Sequence, residues 1–244
     1  MKRILLPALL LSFFLFSCDT LNKIASTLPP TDFEKAAGLR DALTQGLYAG
    51  FDDFSSQEQG NPLVRFAFPG DAAKIEKTLN DIGMRSLVNQ VTQKFTTAMS
   101  QAVVAAKPIF LDAVKNMSLR DVTSLLITDN LHAATDYFKN TMRPQLMTAF
   151  RPIVDSTANL NGANREWTNL VNVYNKIPLI SKPLENSLTD FISSRAIEAM
   201  FTSVAREEEN IRTKLEFRKT DMMKKVFAYA DQELQRRKTQ QPGM

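Results

Sequence analysis

The apolar residues of this chain recur every three or four positions, and that spacing limits the fold more than any other feature. Met84, Leu87, Val88, Val91, Phe95, Ala98, Met99 and Ala102 follow one another at these intervals, which puts them on one stripe of a helix with 3.6 residues per turn. A half-buried strand would need alternation instead. The same spacing runs through Tyr137, Phe138, Met142, Leu146, Phe150, Ile153 and Val154, through Trp167, Leu170, Val171 and Tyr174, and through Met222, Met223, Val226, Phe227, Ala230 and Leu234. A looser stripe holds Phe33, Ala37, Leu39, Leu43 and Leu47. Only Val64, Phe66 and Phe68 alternate, and with no partner strand they read as an extended loop packed on helices, closed by Pro62 and Pro69. The expected fold class is all-α, a single multi-helix domain of about seven to nine helices.

Local signals divide the helices. Thr31 and Glu34 form a capping-box pattern, Gly50 marks the end of the first helix, and Asp71 opens one that Gly83 breaks. Pro108 ends or kinks the helix before it, and Ser118 with Asp121 restarts a short one. The run from Ala133 to Ala158 contains Pro144 and Pro152. A proline in an unrelieved helix interior costs about 3 kcal/mol, so bends or separate segments are expected there. Asn159 to Asn164 is a turn, Pro178 and Pro183 mark connections, and a long helix spans Leu188 to Arg212.

The N-terminus has a different character. Lys2 and Arg3 precede an apolar run from Ile4 to Phe16, too short for the roughly 20 apolar residues of a membrane-spanning helix but right for a signal peptide. It ends in Leu15-Phe16-Ser17-Cys18, which resembles the bacterial lipobox and makes Cys18 the expected lipid attachment site. The resemblance implies a thioether-linked diacylglycerol and an acylated amine, with acyl chains of the palmitate type. Each buried CH₂ contributes about 0.8 kcal/mol, so anchoring would be lasting. The chain therefore divides into a lipoprotein signal peptide (1–17), a lipidated N-terminus and tether (18–31), a helical domain (32–236) and a polar tail (237–244). The expected location is the bacterial cell envelope, lipid-anchored to a membrane on its periplasmic face.

Cys18 is the one cysteine, so no disulfide can form within the chain and stability must come from the core. Removing Lys2 and Arg3 leaves 28 basic residues (30 − 2) against 26 acidic ones. With charges alternating in sign and an export signal present, nucleic acid is not an expected partner. There is one histidine, no glycine-rich phosphate loop and no H-E-x-x-H or G-x-S-x-G arrangement. No catalytic, cofactor-binding or metal-binding residue is assigned. His132 reads as a capping or surface residue before a helix, although it could serve as a base. Asp52-Asp53 and Glu207-Glu208-Glu209 could offer oxygens to a hard cation but read as solvated faces, with Glu208 and Arg212 a helix-surface pair.

The candidate partner-binding surface combines Tyr137, Arg143 and Arg151, beside Thr135 and Asp136, with Tyr174 and Asn175 joining if the helices pack antiparallel. Tyrosine and arginine concentrate binding energy at interfaces, whereas Tyr137 and Tyr174 as core rings with wet hydroxyls is the plainer reading.

Six ordered segments carry a family resemblance: Gly38-Leu39-Arg40-Asp41-Ala42-Leu43, Asn61-Pro62, Ala134-Thr135-Asp136-Tyr137-Phe138, Tyr174-Asn175-x-x-Pro178, Glu207-Glu208-x-x-Ile211-Arg212 and Lys224-Lys225-Val226-Phe227. From about residue 36 to 228 the chain resembles the bacterial family catalogued as domain of unknown function 4197. The resemblance implies a helical envelope domain, often exported, without an assigned activity. The chain departs from the family pattern at Leu215, where a proline is usual, and at Ala199, where a glycine is usual, so the turn between the last two helices should be more helical. Two function classes lead: a non-catalytic binding or structural module with an envelope protein or cell-wall component as partner, and a carrier of an apolar ligand between helices. An enzyme of unknown type comes third.

Overall fold

A computed structural model describes residues 28–56, 65–66, 72–118, 122–177 and 188–240. The signal peptide, Cys18, most of the tether, Asn61-Pro62, Asp71, Asp121, Pro178 and Pro183 lie outside the described residues. Among those described there are nine α-helices and no strand: α1 (Asp32–Ser55), α2 (Ala72–Asp81), α3 (Arg85–Ala105), α4 (Lys107–Asn116), α5 (Val122–Leu126), α6 (Ala133–Leu160), α7 (Ala163–Tyr174), α8 (Thr189–Thr213) and α9 (Asp221–Gln240). A 3₁₀ turn, Leu215–Phe217, joins α8 to α9, the extra helical character expected where Leu215 replaces a proline.

The sequence signals act as their chemistry requires. Thr31 caps α1, its Oγ1 accepting from Glu34 N while Glu34 accepts from Thr31 N at 2.8 Å. Gly83 takes φ +85°, the left-handed value that ends a helix. Pro108 sits in the first turn of α4, where its missing N–H costs nothing.

Of the two alternatives expected for α6, one helix through both prolines and separate segments, the first holds. It is one 28-residue helix with both prolines inside. Pro144 and Pro152 lie on the exposed side, while Leu146, Phe150 and Val154 keep the opposite face buried. A solvent-facing proline lets a long helix curve around its core instead of breaking it. The last helix also runs on through Gln240, into the segment expected as a polar tail.

The core is built on α1, which packs against α8, α9, α3, α4 and α5, while α6 lies across α8 and α3. Close approach depends on glycine. A Cβ on Gly46 would lie 2.9 Å from the Val204 backbone, and one on Gly38 would lie 2.2 Å from a Val226 methyl. Rings fill the interior in pairs: Phe66 stacks on Phe95 at 5.0 Å, and Phe138 meets Phe201 edge-on at 5.3 Å. Phe66 is buried as the loop reading expects, its N–H donating to Thr96 Oγ1 at 3.0 Å. Phe33, placed on the apolar stripe of α1 by sequence, is instead 79% exposed.

Candidate functional site

Glu208 carries a buried carboxylate, not one on a solvated face. Its side chain is 1% exposed and that of Arg212, one turn later, 6%. One oxygen accepts from Arg212 Nε at 2.9 Å and from Ala134 N at 3.0 Å; the other accepts from Thr135 N and Thr135 Oγ1, both at 2.7 Å. Glu208 thus caps the positive end of α6 from a neighbouring helix. Arg212 spends its remaining donors on the carbonyls of Leu125 and Leu126 at the end of α5, with Phe227 beneath its guanidinium at 5.5 Å. The surface-pair expectation for Glu208 and Arg212 is overturned because α8 turns this stripe inward. The signal was present, since Met200, Val204, Glu208 and Ile211 share one helical spacing and all are buried.

α5 is held from other sides too. Arg40 donates to the Met117 carbonyl at 2.8 Å and Tyr137 to the Ser118 carbonyl at 2.7 Å, just before it. Just after it, Arg237 reaches the Ile127 carbonyl at 3.4 Å. From below, the ammonium of buried Lys35 donates to Thr123 Oγ1 at 2.8 Å and to Asp32 Oδ1 at 2.9 Å. A five-residue helix has almost no stability of its own. These bonds fix its place.

The clamped segment walls an open groove of about 1100 Å³ at the end of the bundle where α1 begins. Asp32 and Ala36 form one side, Val122, Thr123, Ile127, Thr128 and Asp129 the second, and Leu234, Arg237 and Lys238 of α9 the third. The Lys35 hydrogen bond holds the Asp32 carboxyl below its ordinary value. Next to it, a hydrogen bond from Lys225, then the capping bond from Thr31 N, lowers Glu34 to about 2.

The sequence-derived surface residues are placed as follows. Arg143 pairs with Glu198 and donates to Ser194 Oγ at 2.8 Å, while Lys139 holds the other Glu198 oxygen at 2.6 Å. Arg151 pairs with Asp190 at 2.5 Å. The two arginines therefore share one seam, between α6 and α8, whereas Tyr137 turns toward Ser118. Tyr174 is buried at the edge of the core and Asn175 is the exposed C-cap of α7. Thr135 is taken up by Glu208, and Asp136 accepts from Asn130 at 3.1 Å. His132 precedes α6 on the surface, 3.3 Å from Glu209. Asp53 accepts from Ser203 and Arg206, both at 2.6 Å, and Glu207 from Gln45 at 2.7 Å. No group of three or more metal-ligating side chains occurs among the described residues. The sequence reading missed the groove because its walls come from three distant parts of the chain.

The motif segments that make this end of the bundle agree with a comparison across families. The model of the family described as a protein of unknown function, DUF4197, matches residues 29–228. The chain belongs to the DUF4197 family. No curated protein and no solved structure matches it. Within this DUF4197 chain, Arg40, Tyr137 and Arg212, from three motifs that carry the resemblance, all end on backbone carbonyls beside α5.

Proposed function

We propose that this chain is a non-catalytic binding module of the bacterial cell envelope, held to a membrane by a lipid on Cys18 and meeting its partner through the groove between α1, α5 and α9. One observation supports the binding site: Arg212 bonds two carbonyls of α5 and buried Lys35 its Thr123 hydroxyl, while Arg40 and Tyr137 bond the carbonyls of Met117 and Ser118 at the end of the preceding segment, and α5 walls the groove. Preorganised walls are what a binding site needs, because ordering them on contact would cost affinity. The anchor rests on Leu15-Phe16-Ser17-Cys18 after a short apolar run. None of the described helices is long and apolar enough to cross a membrane.

An apolar-ligand carrier is the second reading. Against it, Phe54, Phe95, Phe110, Phe138, Phe150 and Phe227 are fully buried, and most of them pack ring against ring. The Arg143 and Arg151 seam stays a second contact face, for an envelope protein or cell-wall component.

Metabolic labelling with a fatty-acid analogue in a bacterial host tests the anchor: wild type should incorporate label and Cys18→Ala should not. Crosslinking in membranes tests the groove. Thr128→Arg, on its wall, should lose a partner that wild type captures while Arg143→Ala with Arg151→Ala keeps it. The reverse result would move the contact face to the seam.

A further inference from the structure

The groove lies at the end of the bundle where the chain arrives from Cys18. Asp32 and Ala36, in the opening turns of α1, line it, and the 13 residues from Asp19 to Thr31 span at most about 40 Å. A lipid-anchored protein would hold this end closest to the bilayer. Two large apolar side chains project there: Leu28 is 61% exposed and Phe33 79%. Phe33 lies in the same first turn of α1 as the groove residue Asp32, but does not itself line the groove. Nothing in the core accounts for an uncovered phenyl ring in an otherwise polar first turn. A bilayer interface does, because aromatic and aliphatic side chains beside charged groups favour that boundary.

The charges inside the groove limit what it can take. Arg237 and Lys238 contribute two positive charges, and Asp32 and Asp129 two negative ones. Lys238 and Asp129 stand 3.5 Å apart with side chains 68% and 78% exposed, beyond a good hydrogen bond and free to change partners. Arg237 meets only the Ile127 carbonyl at a long 3.4 Å. Lys35 keeps Asp32 ionised. A purely anionic ligand would meet two carboxylates, and a purely cationic one an arginine and a lysine. A ligand with both signs on one short chain suits both kinds of charge, Asp32 sharing its carboxylate with Lys35 at 2.9 Å.

We propose that the groove takes the headgroup of a zwitterionic phospholipid carrying a primary ammonium, in the bilayer to which the protein is tethered. Its phosphate lies against Arg237 and Lys238, its ammonium donates to Asp32 and Asp129, and Leu28 and Phe33 enter the acyl boundary. This rests on the membrane tethering proposed above and names the partner met through the groove as a lipid of that same membrane. A quaternary ammonium fits less well, having no N–H to donate to the carboxylates.

The full lipidated chain reconstituted into vesicles tests this, with hydrogen exchange read over α1, α5 and the end of α9. Three compositions are compared: phosphatidylcholine alone, phosphatidylcholine with phosphatidylethanolamine, and phosphatidylcholine with phosphatidylglycerol. Exchange at residues 32–36, 122–129 and 234–240 should slow several-fold with phosphatidylethanolamine only. Arg237→Glu with Lys238→Glu, both on the exposed end of α9, should abolish the slowing without changing exchange in the core. Free phosphoethanolamine added to phosphatidylcholine vesicles should protect the groove but not Phe33, separating headgroup recognition from bilayer contact. Equal protection in all three compositions, slowing by phosphatidylglycerol alone, or slowing that survives the charge reversal would overturn the proposal. If the chain does not enter vesicles at all, the tethering itself has failed, a result distinct from vesicle insertion without headgroup selectivity.

Discussion

Helices α6 and α8 are joined by acid–base contacts at two places, and the two behave as different materials. At one end Glu208 and Arg212 are sealed, with five donors on one carboxylate and two backbone carbonyls on one guanidinium. Along the middle, Arg143 with Glu198 and Arg151 with Asp190 lie half in water, Arg151 and Asp190 being 47% and 73% exposed. The residue types are nearly the same. Burial decides what they do: a sealed charge that loses its partner cannot be rescued by water, whereas an exposed one is resolvated at once.

The comparison breaks most readily at Glu208. Glu208→Ala leaves Arg212 buried without its counter-charge and uncaps α6, so it should cost about 3–5 kcal/mol in urea unfolding. Adding Arg212→Met should cost less than the sum of the single changes, because the orphaned charge goes with it. Strict additivity would mean that the node is not coupled.

The apolar counterpart is Gly46. A Cβ there meets the Val204 backbone at 2.9 Å, so Gly46→Ala should destabilise by about 1–3 kcal/mol by prising α1 from α8. An unchanged melting curve would show that the two helices separate more easily than the packing implies.

At the exposed seam, Arg143→Ala and Arg151→Ala should each change stability by less than about 1 kcal/mol. A larger loss would place the seam in the same class as the node and would remove it as a contact face, since a variant that unfolds loses every partner.

The smallest effect is in acid. Glu34 lies at about 2 in the folded chain against an ordinary value of 4.5. Its depressed value contributes stability that is present above 4.5 and lost as pH falls toward about 2. Denaturation midpoints measured across that window should fall, and Glu34→Gln should flatten part of the slope. An identical slope in the variant would assign the acid sensitivity to other carboxylates.

Much of the architecture was legible in the chain itself. The 3.6-residue spacing, the Thr31–Glu34 box, Gly83 and Pro108 specify helices and their ends through short-range geometry, which needs no knowledge of neighbours. The continuity of α6 did not follow, because a proline breaks or only bends a helix according to which side faces water, and that depends on α3 and α8 packing against it. Phe33 failed for the related reason that an apolar residue in the right register is buried only if another element covers it. The site divides the same way. Arg40, Tyr137 and Arg212 were visible as motif residues, but the carbonyls they bond, at Met117, Ser118, Leu125 and Leu126, were not, since donors and acceptors far apart in the chain meet only in the folded bundle. The sequence by itself determined where the helices are and which chemistry they carry. Tertiary structure decided that Glu208 would be sealed and Arg151 left in water, because helical spacing only narrows which side chains can be buried and burial itself is a property of what surrounds them.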